Sequence, residues 1–250
     1  MIGVVTNVRN TADVLVAWLM ARTEAADQPP VDLEALAQKM GVVSIEMAHM
    51  VEDGRLEQRD GVATIYVRDD LTDGRRRFTI AHELGHRLLL HQGAPAVAYR
   101  RRLTGDQVER LCDDIAAAIL LPRPWVQGTF RGEPRKLKTI RRMSAMSLTS
   151  LSASLVRLRE VHRWPESLLR FMYCEDRWRL ASPAGVPSAM HGRLRTTTAT
   201  NDALSLLRER TSADVRSSIP MQLAGSDVRF EAELSVRNNT AFALVDLAQA

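Results

Sequence analysis

The stretch RRRFTIAHELGHRLLLH, residues 75–91, decides how this chain is read. Phe78, Ile80, Leu84, Leu88 and Leu89 recur at helical spacing, and Gly93 and Pro95 end the pattern. Inside it, His82-Glu83-Leu84-Gly85-His86 has the form H-E-x-x-H. Four residues make just over one helical turn, so both imidazoles leave one face and can share a single Zn²⁺. Glu83 stands beside them, where a carboxylate can take a proton from metal-activated water. A buried helix with two histidines and a glutamate needs partners for those groups, and a metal ion is the simplest one.

A catalytic zinc needs a third protein ligand and an open fourth position. His91 is nearest in sequence, but five residues past His86 rotate it about 140° around the helix. The longer zincin spacing would require histidine at position 92, which is Gln92. His91 therefore reads as a C-terminal helix residue favoured by the helix dipole. Glu109 is the better third ligand. It lies on the next helical pattern, VERLCDDIAAAILLP at residues 108–122, whose alanines permit close packing on the first helix. Asp106, one turn earlier, reads as a capping residue. The oxyanion-stabilising group is left open among Tyr99, His49, His162 and an arginine from 100–102.

These two motifs at this separation resemble the ImmA/IrrE family of bacterial metallopeptidases, the M78 peptidases. VDLEALAQKMGV at 31–42 and DGVATIYV at 60–67 fit the family's usual lead-in, so the resemblance spans about residues 30–130. It implies a zincin-like domain with zinc on His82, His86 and Glu109, a gluzincin-like His₂Glu site, and Glu83 as general base. Manganese is the alternative metal by ligand type. Where the family's second motif commonly has alanine and phenylalanine, this chain has Cys112 and Ile115, and Asp113 keeps the polar position. One turn after Glu109, Asp113 is placed to hold the second N–H of a ligand histidine. Asp114 is expected to be the exposed acid of the pair. Cys112 shares the Glu109 face and reads either as a small buried residue or as a regulatory thiolate reaching the open metal position.

The fold expected is α+β in three parts. Residues 1–130 form the metallopeptidase domain, with helices at 11–24 and 32–40, a strand at GVVSIEM, and a hairpin turning at Asp60-Gly61. Residues 131–184 form a basic helical segment similar to a helix-turn-helix. In it, 131–146 reads as a linker, Ser147 caps the second helix, and Leu148, Leu151, Leu155 and Leu158 face the core. RFMYCEDRWRL reads as two strands around an acidic turn, and a second boundary falls at 182–188. Residues 185–250 form a small α/β sensor-like region with a helix near 201–210 and strands VRFEAEL and TAFALVDL.

At 250 residues and 28.0 kDa, with 45% apolar and 26% charged residues, the chain is of ordinary globular composition. Cys112 and Cys174 are too few for a disulfide framework, MIGVVTNVRN is unlike a signal peptide, and no window reads as membrane-spanning, so a cytoplasmic protein is expected. The net charge of +4 hides a segment, 131–179, with twelve Lys+Arg against five Asp+Glu. That excess is a modest footprint for nucleic acid or an acidic partner. The leading expectation is a zinc endopeptidase. By the resemblance, it would cut a helix-turn-helix repressor to release genes of stress or DNA-damage response, mobile elements or phage defence. The alternative is a non-proteolytic zinc protein that binds a repressor or DNA through the basic segment. No feature speaks to oligomeric state.

Overall fold

A computed structural model of the chain describes residues 8–23, 28–91, 97, 100–187, 190, 192–208 and 214–247. The architecture is mixed α+β and divides into two compact units. Unit 1 comprises 1–129 and 144–150, and unit 2 comprises 130–143 and 151–250.

Unit 1 begins with helices α1 (Val8–Thr23) and α2 (Leu33–Lys39). Asp32 caps α2 by accepting the Ala35 N–H at 2.9 Å, and Gly41 follows at φ +76°, where a side chain would be strained. Three strands follow: β1 (Val42–Ala48), β2 (Gly54–Arg59) and β3 (Val62–Arg68). The turn between β2 and β3 puts Asp60 at φ 51° and Gly61 at φ 81°, the left-handed pair that a two-residue hairpin requires. The sheet order is β1-β3-β2, with β1 parallel and β2 antiparallel to β3. β2 is thus an edge strand. Ala63, Ile65 and Val67 alternate along β3 and are fully buried.

Helix α3 (Asp73–Leu90) packs on β2 and β3, and α4 (Gly105–Leu120) packs on α3. The crossing is close at Gly85, where an added Cβ would lie 3.2 Å from the Cys112 Cα. Arg77 donates to the Val31 carbonyl at 2.8 Å and Arg87 to the Met40 carbonyl at 3.0 Å, which anchors α3 to the ends of α2. Thr104, not Asp106, caps α4, and its N–H donates to the Gln107 side chain at 2.9 Å. α1 lies against α4, and α5 (Arg123–Thr129) is tied to α1 by the Arg123–Asp13 ion pair at 2.7 Å.

The segment expected as a linker contains a helix, α6 (Leu137–Ser147), with Leu137, Ile140 and Met143 fully buried. Its charges had masked that apolar stripe. Three residues separate the end of α6 from helix α7 (Leu151–His162). Ser147 closes α6 rather than capping α7, and its hydroxyl bonds Thr149 at 2.8 Å. Leu148 is 51% exposed at φ 53°, whereas Leu155 and Leu158 are buried as expected.

Unit 2 is built on an antiparallel sheet in the order β5-β4-β9-β8-β7-β6. The strands are β4 (Ser167–Cys174), β5 (Arg177–Ala184), β6 (Leu194–Arg195), β7 (Val215–Leu223), β8 (Ser226–Arg237) and β9 (Thr240–Val245). Glu175 and Asp176, both at positive φ, make the acidic turn. The sheet draws strands from both sides of residue 184, so the boundary drawn at 182–188 falls within one sheet. β6 and β7 were not foreseen. Helix α8 (Thr198–Arg208) contributes the buried Leu204 to a core with Phe171, Trp178, Ile219 and Phe230. Asn201 on α8 accepts the Trp178 N–H, and the Thr200 hydroxyl donates to the Pro220 carbonyl. Among the described residues, no helix is long and apolar enough to cross a membrane.

Candidate metal centre

The pitch of α3 brings His82 and His86 together, with their Nε2 atoms 3.1 Å apart. Helix α4 supplies Glu109 opposite them. Its Oε2 lies 3.2 Å from His82 Nε2, and its Oε1 lies 3.5 Å from His86 Nε2. Each of the three residues offers a ligand atom, and those atoms all fall within 4.8 Å of one another. A tetrahedral ion with bonds of about 2.0–2.1 Å holds its ligand atoms about 3.3 Å apart. The separation between the imidazoles and those to the two Glu109 oxygens bracket that value, so either oxygen can complete a donor set of two imidazoles and a carboxylate for a divalent ion.

Asp113 follows Glu109 by one turn, and its Oδ1 lies 2.9 Å from His82 Nδ1. A proton on Nδ1 donates to Asp113 and leaves Nε2 with its lone pair toward the centre. Burial opposes protonation of His82, but the Asp113 hydrogen bond and charge, with Glu83 and Glu109, outweigh it and raise the pKa. His86 is pushed the other way, by burial and by His82, against the pull of Glu109. Asp113 is the exposed acid, at 57%, and Asp114 is the more enclosed one, the reverse of the expected order.

Glu83 is only 7% exposed. Burial pushes its carboxyl above the ordinary range, while the neighbouring His82 and a hydrogen bond from the Leu56 N–H oppose the rise. Leu56 lies on the edge strand β2, so the backbone there holds the carboxylate. Gly54, two residues earlier, makes this approach feasible. A Cβ at Gly54 would overlap the Thr79 methyl and stand 3.2 Å from Glu83 Oε1. The sequence reading had found neither Gly54 nor Leu56. The lone glycine opening a strand is the signal that marks a close approach. A cleft of about 480 Å³ runs along β2 and α3 past these groups, with Arg75 and Phe78 toward the start of α3 and Leu90 at its end.

Cys112 is fully buried against Gly85 and lies outside the group of metal-capable side chains. Burial, with Glu109, Glu83 and Asp113, pushes its thiol up, away from the thiolate form. Among the candidates for the oxyanion, His49 is fully solvent-facing near Asp69, and His162 belongs to α7 in unit 2. Tyr99 lies outside the described residues. Arg100 is the one whose charge acts on His86 and Cys112. His91 ends α3 as its cap.

Residues 37–139 match the family profile Peptidase M78, described as the IrrE N-terminal-like domain. This segment belongs to the M78 peptidase family. The M78 match covers β1–β3, α3 and α4, and so contains every residue of the centre. M78 peptidases are metal-dependent, and the His82–His86–Glu109 group is the one in this chain able to hold the ion among the described residues. The comparison with curated proteins found no match. Among solved structures, a Mycobacterium tuberculosis transcriptional regulator is similar in fold at 14% identity, with 96% of this chain and 77% of that chain covered and a TM-score of 0.53.

Proposed function

We propose that the protein is a zinc-dependent endopeptidase with His82, His86 and Glu109 as ligands, Glu83 as general base, and a protein substrate. The observation that carries this reading is the approach of the two histidine Nε2 atoms, 3.1 Å apart, to the Glu109 carboxylate at 3.2 and 3.5 Å, with Glu83 lining the same cleft. Zinc, when bound, would supply Lewis acidity that lowers the pKa of a water and polarises the scissile carbonyl. Glu83 would take the proton of the attacking water on its carboxylate and pass it to the leaving amine. The Leu56 N–H fixes that carboxylate, and Asp113 fixes the tautomer of His82. A substrate segment in extended form would lie along β2, whose residues Gly54, Arg55 and Leu56 line the cleft. Manganese is the competing ion for the same ligands.

The substrate we propose is a helix-turn-helix transcriptional repressor, cut to release stress-response, mobile-element or phage-defence genes. The family resemblance supports this, as does the fold shared with a transcriptional regulator. Unit 1 is read as zincin-like and α6–α7 as a helix-turn-helix-like pair, on the strength of the three-residue spacing. The alternative, a non-proteolytic regulator acting through the basic 131–179 segment, draws support from the exposed Arg131, Arg135, Lys136 and Lys138. It would be favoured by a fourth protein ligand closing the site, and Cys112 lies outside the ligand group.

The test is to incubate the zinc-loaded protein with the helix-turn-helix repressor encoded beside its gene, with Glu83→Ala as control. Cleavage by the native protein and none by the variant is expected. Tight binding by both without cleavage would replace the peptidase reading with the regulator.

A further inference from the structure

Unit 2 contains a second cavity, of about 380 Å³, unrelated to the metal centre. Both edges of the six-stranded sheet border it: Arg179 and Leu180 come from β5, and Leu194 and Arg195 from β6, with Met190 and Thr196 between and beyond them. The sheet therefore curls until its first and last strands flank one opening. Its apolar wall is continuous with the core. Leu194 is 3% exposed, and Leu180 and Met190 pack on the same cluster.

The charged residues that line the opening are Arg179 and Arg195, with no carboxylate beside them among the described lining residues. Arg179 reaches back to Glu175 in the β4–β5 turn. Arg195 donates to its neighbour's carbonyl, that of Leu194, at 3.0 Å, and pairs with no carboxylate among the described residues. Thr196 adds a hydroxyl at the same rim.

We propose that this cavity binds a small organic anion. Its apolar body would rest on Leu180, Met190 and Leu194, and its phosphate or carboxylate would meet Arg195, Thr196 and Arg179. The volume falls in the range of small-molecule sites, about 300–1,000 Å³. Added peptide strands are disfavoured at both edges. β6 is two residues long, and the Trp178 N–H on β5 already serves Asn201. An anion at Arg195 gains a charge-assisted hydrogen bond. The proposal is independent of the peptidase reading.

Phenyl phosphate, which joins an aromatic body to a dianion, is the probe. It is titrated into the full-length protein, and amide shifts are followed by two-dimensional NMR. Saturable shifts at Leu180, Leu194, Arg195 and Thr196 are expected, with inorganic phosphate and phenol each at least about tenfold weaker, one decade being 1.4 kcal/mol. Arg195→Glu should weaken binding by a further tenfold or more and Arg195→Lys by less, both at unchanged melting temperature because Arg195 is exposed. Equal affinity in the Arg195→Glu protein would overturn the proposal. So would shifts that do not saturate or that scatter over other arginines. Inorganic phosphate binding as well as phenyl phosphate would overturn the amphiphilic ligand.

Discussion

A carboxyl buried as deeply as Glu83 acts on catalysis and on stability in opposite directions. As the proton acceptor it is worth about 10²–10⁴ in rate, so Glu83→Gln should lower kcat on a cleaved repressor by that factor while zinc per chain, measured by elemental analysis, stays the same. In the zinc-free protein the sign reverses. The folded pKa of Glu83 is raised, chiefly by burial, so the native state holds this proton more tightly than the unfolded chain does. That contribution to stability is present below the ordinary carboxylate range and is lost as pH rises through the raised value. Above that window the ionised Glu83 costs stability. Glu83→Gln should then melt higher than the native protein at pH 8, with the difference closing in acid. Asp113 offers the complementary case. Asp113→Asn weakens its hold on His82 Nδ1 and should lower zinc affinity about 10–100-fold in a chelator competition.

Where β2 passes α3, one missing side chain sets the distance between the two elements. Gly54→Ala would drive a methyl into Thr79 and crowd Glu83, and overpacking of this kind costs about 1–3 kcal/mol in urea unfolding. Thr79→Ser removes only the obstructing methyl, so the double variant should recover most of that loss; a double variant as unstable as Gly54→Ala would exclude the clash as the cause. This contact was illegible in the sequence because its reason is tertiary. What local chemistry dictates was legible: the two histidines four apart, the short helix opening at residue 32, and the Asp60-Gly61 turn. Glu109 was legible too, since a close-packing helix carries few carboxylates that can face the histidines. β7 was not. Its serines and Pro220 argue against a strand, yet β6 is too short to pair with it at Pro220, so the missing N–H goes unneeded there. α6 was hidden for a different reason: five charges and a proline within 131–138 outweighed the buried stripe of Leu137, Ile140 and Met143.

Across the whole molecule, the metal is expected to stabilise the fold as well as perform chemistry, because its ligands come from α3 and α4 and only the folded chain assembles them. A ligand that binds only the native state adds about 2.7 kcal/mol at a free concentration of 100 Kd. Chelation should therefore lower the melting temperature, zinc should restore it, and hydrogen exchange should rise first in α3 and α4. A chelator that leaves exchange in these helices unchanged would mean that they stand without the ion. The fold also sets an order in time. Every residue of the metal centre precedes residue 114, and the last segment of unit 1 ends at 150. The sheet of unit 2, by contrast, has β9, the last strand in sequence, between β4 and β8. At about 5–20 residues per second, a ribosome takes roughly 5–20 s to move from residue 150 to residue 245. The nascent chain thus owns a complete metal-binding half well before the other half has the strand that joins its two sides, and an interrupted translation product would carry the cleft without the cavity.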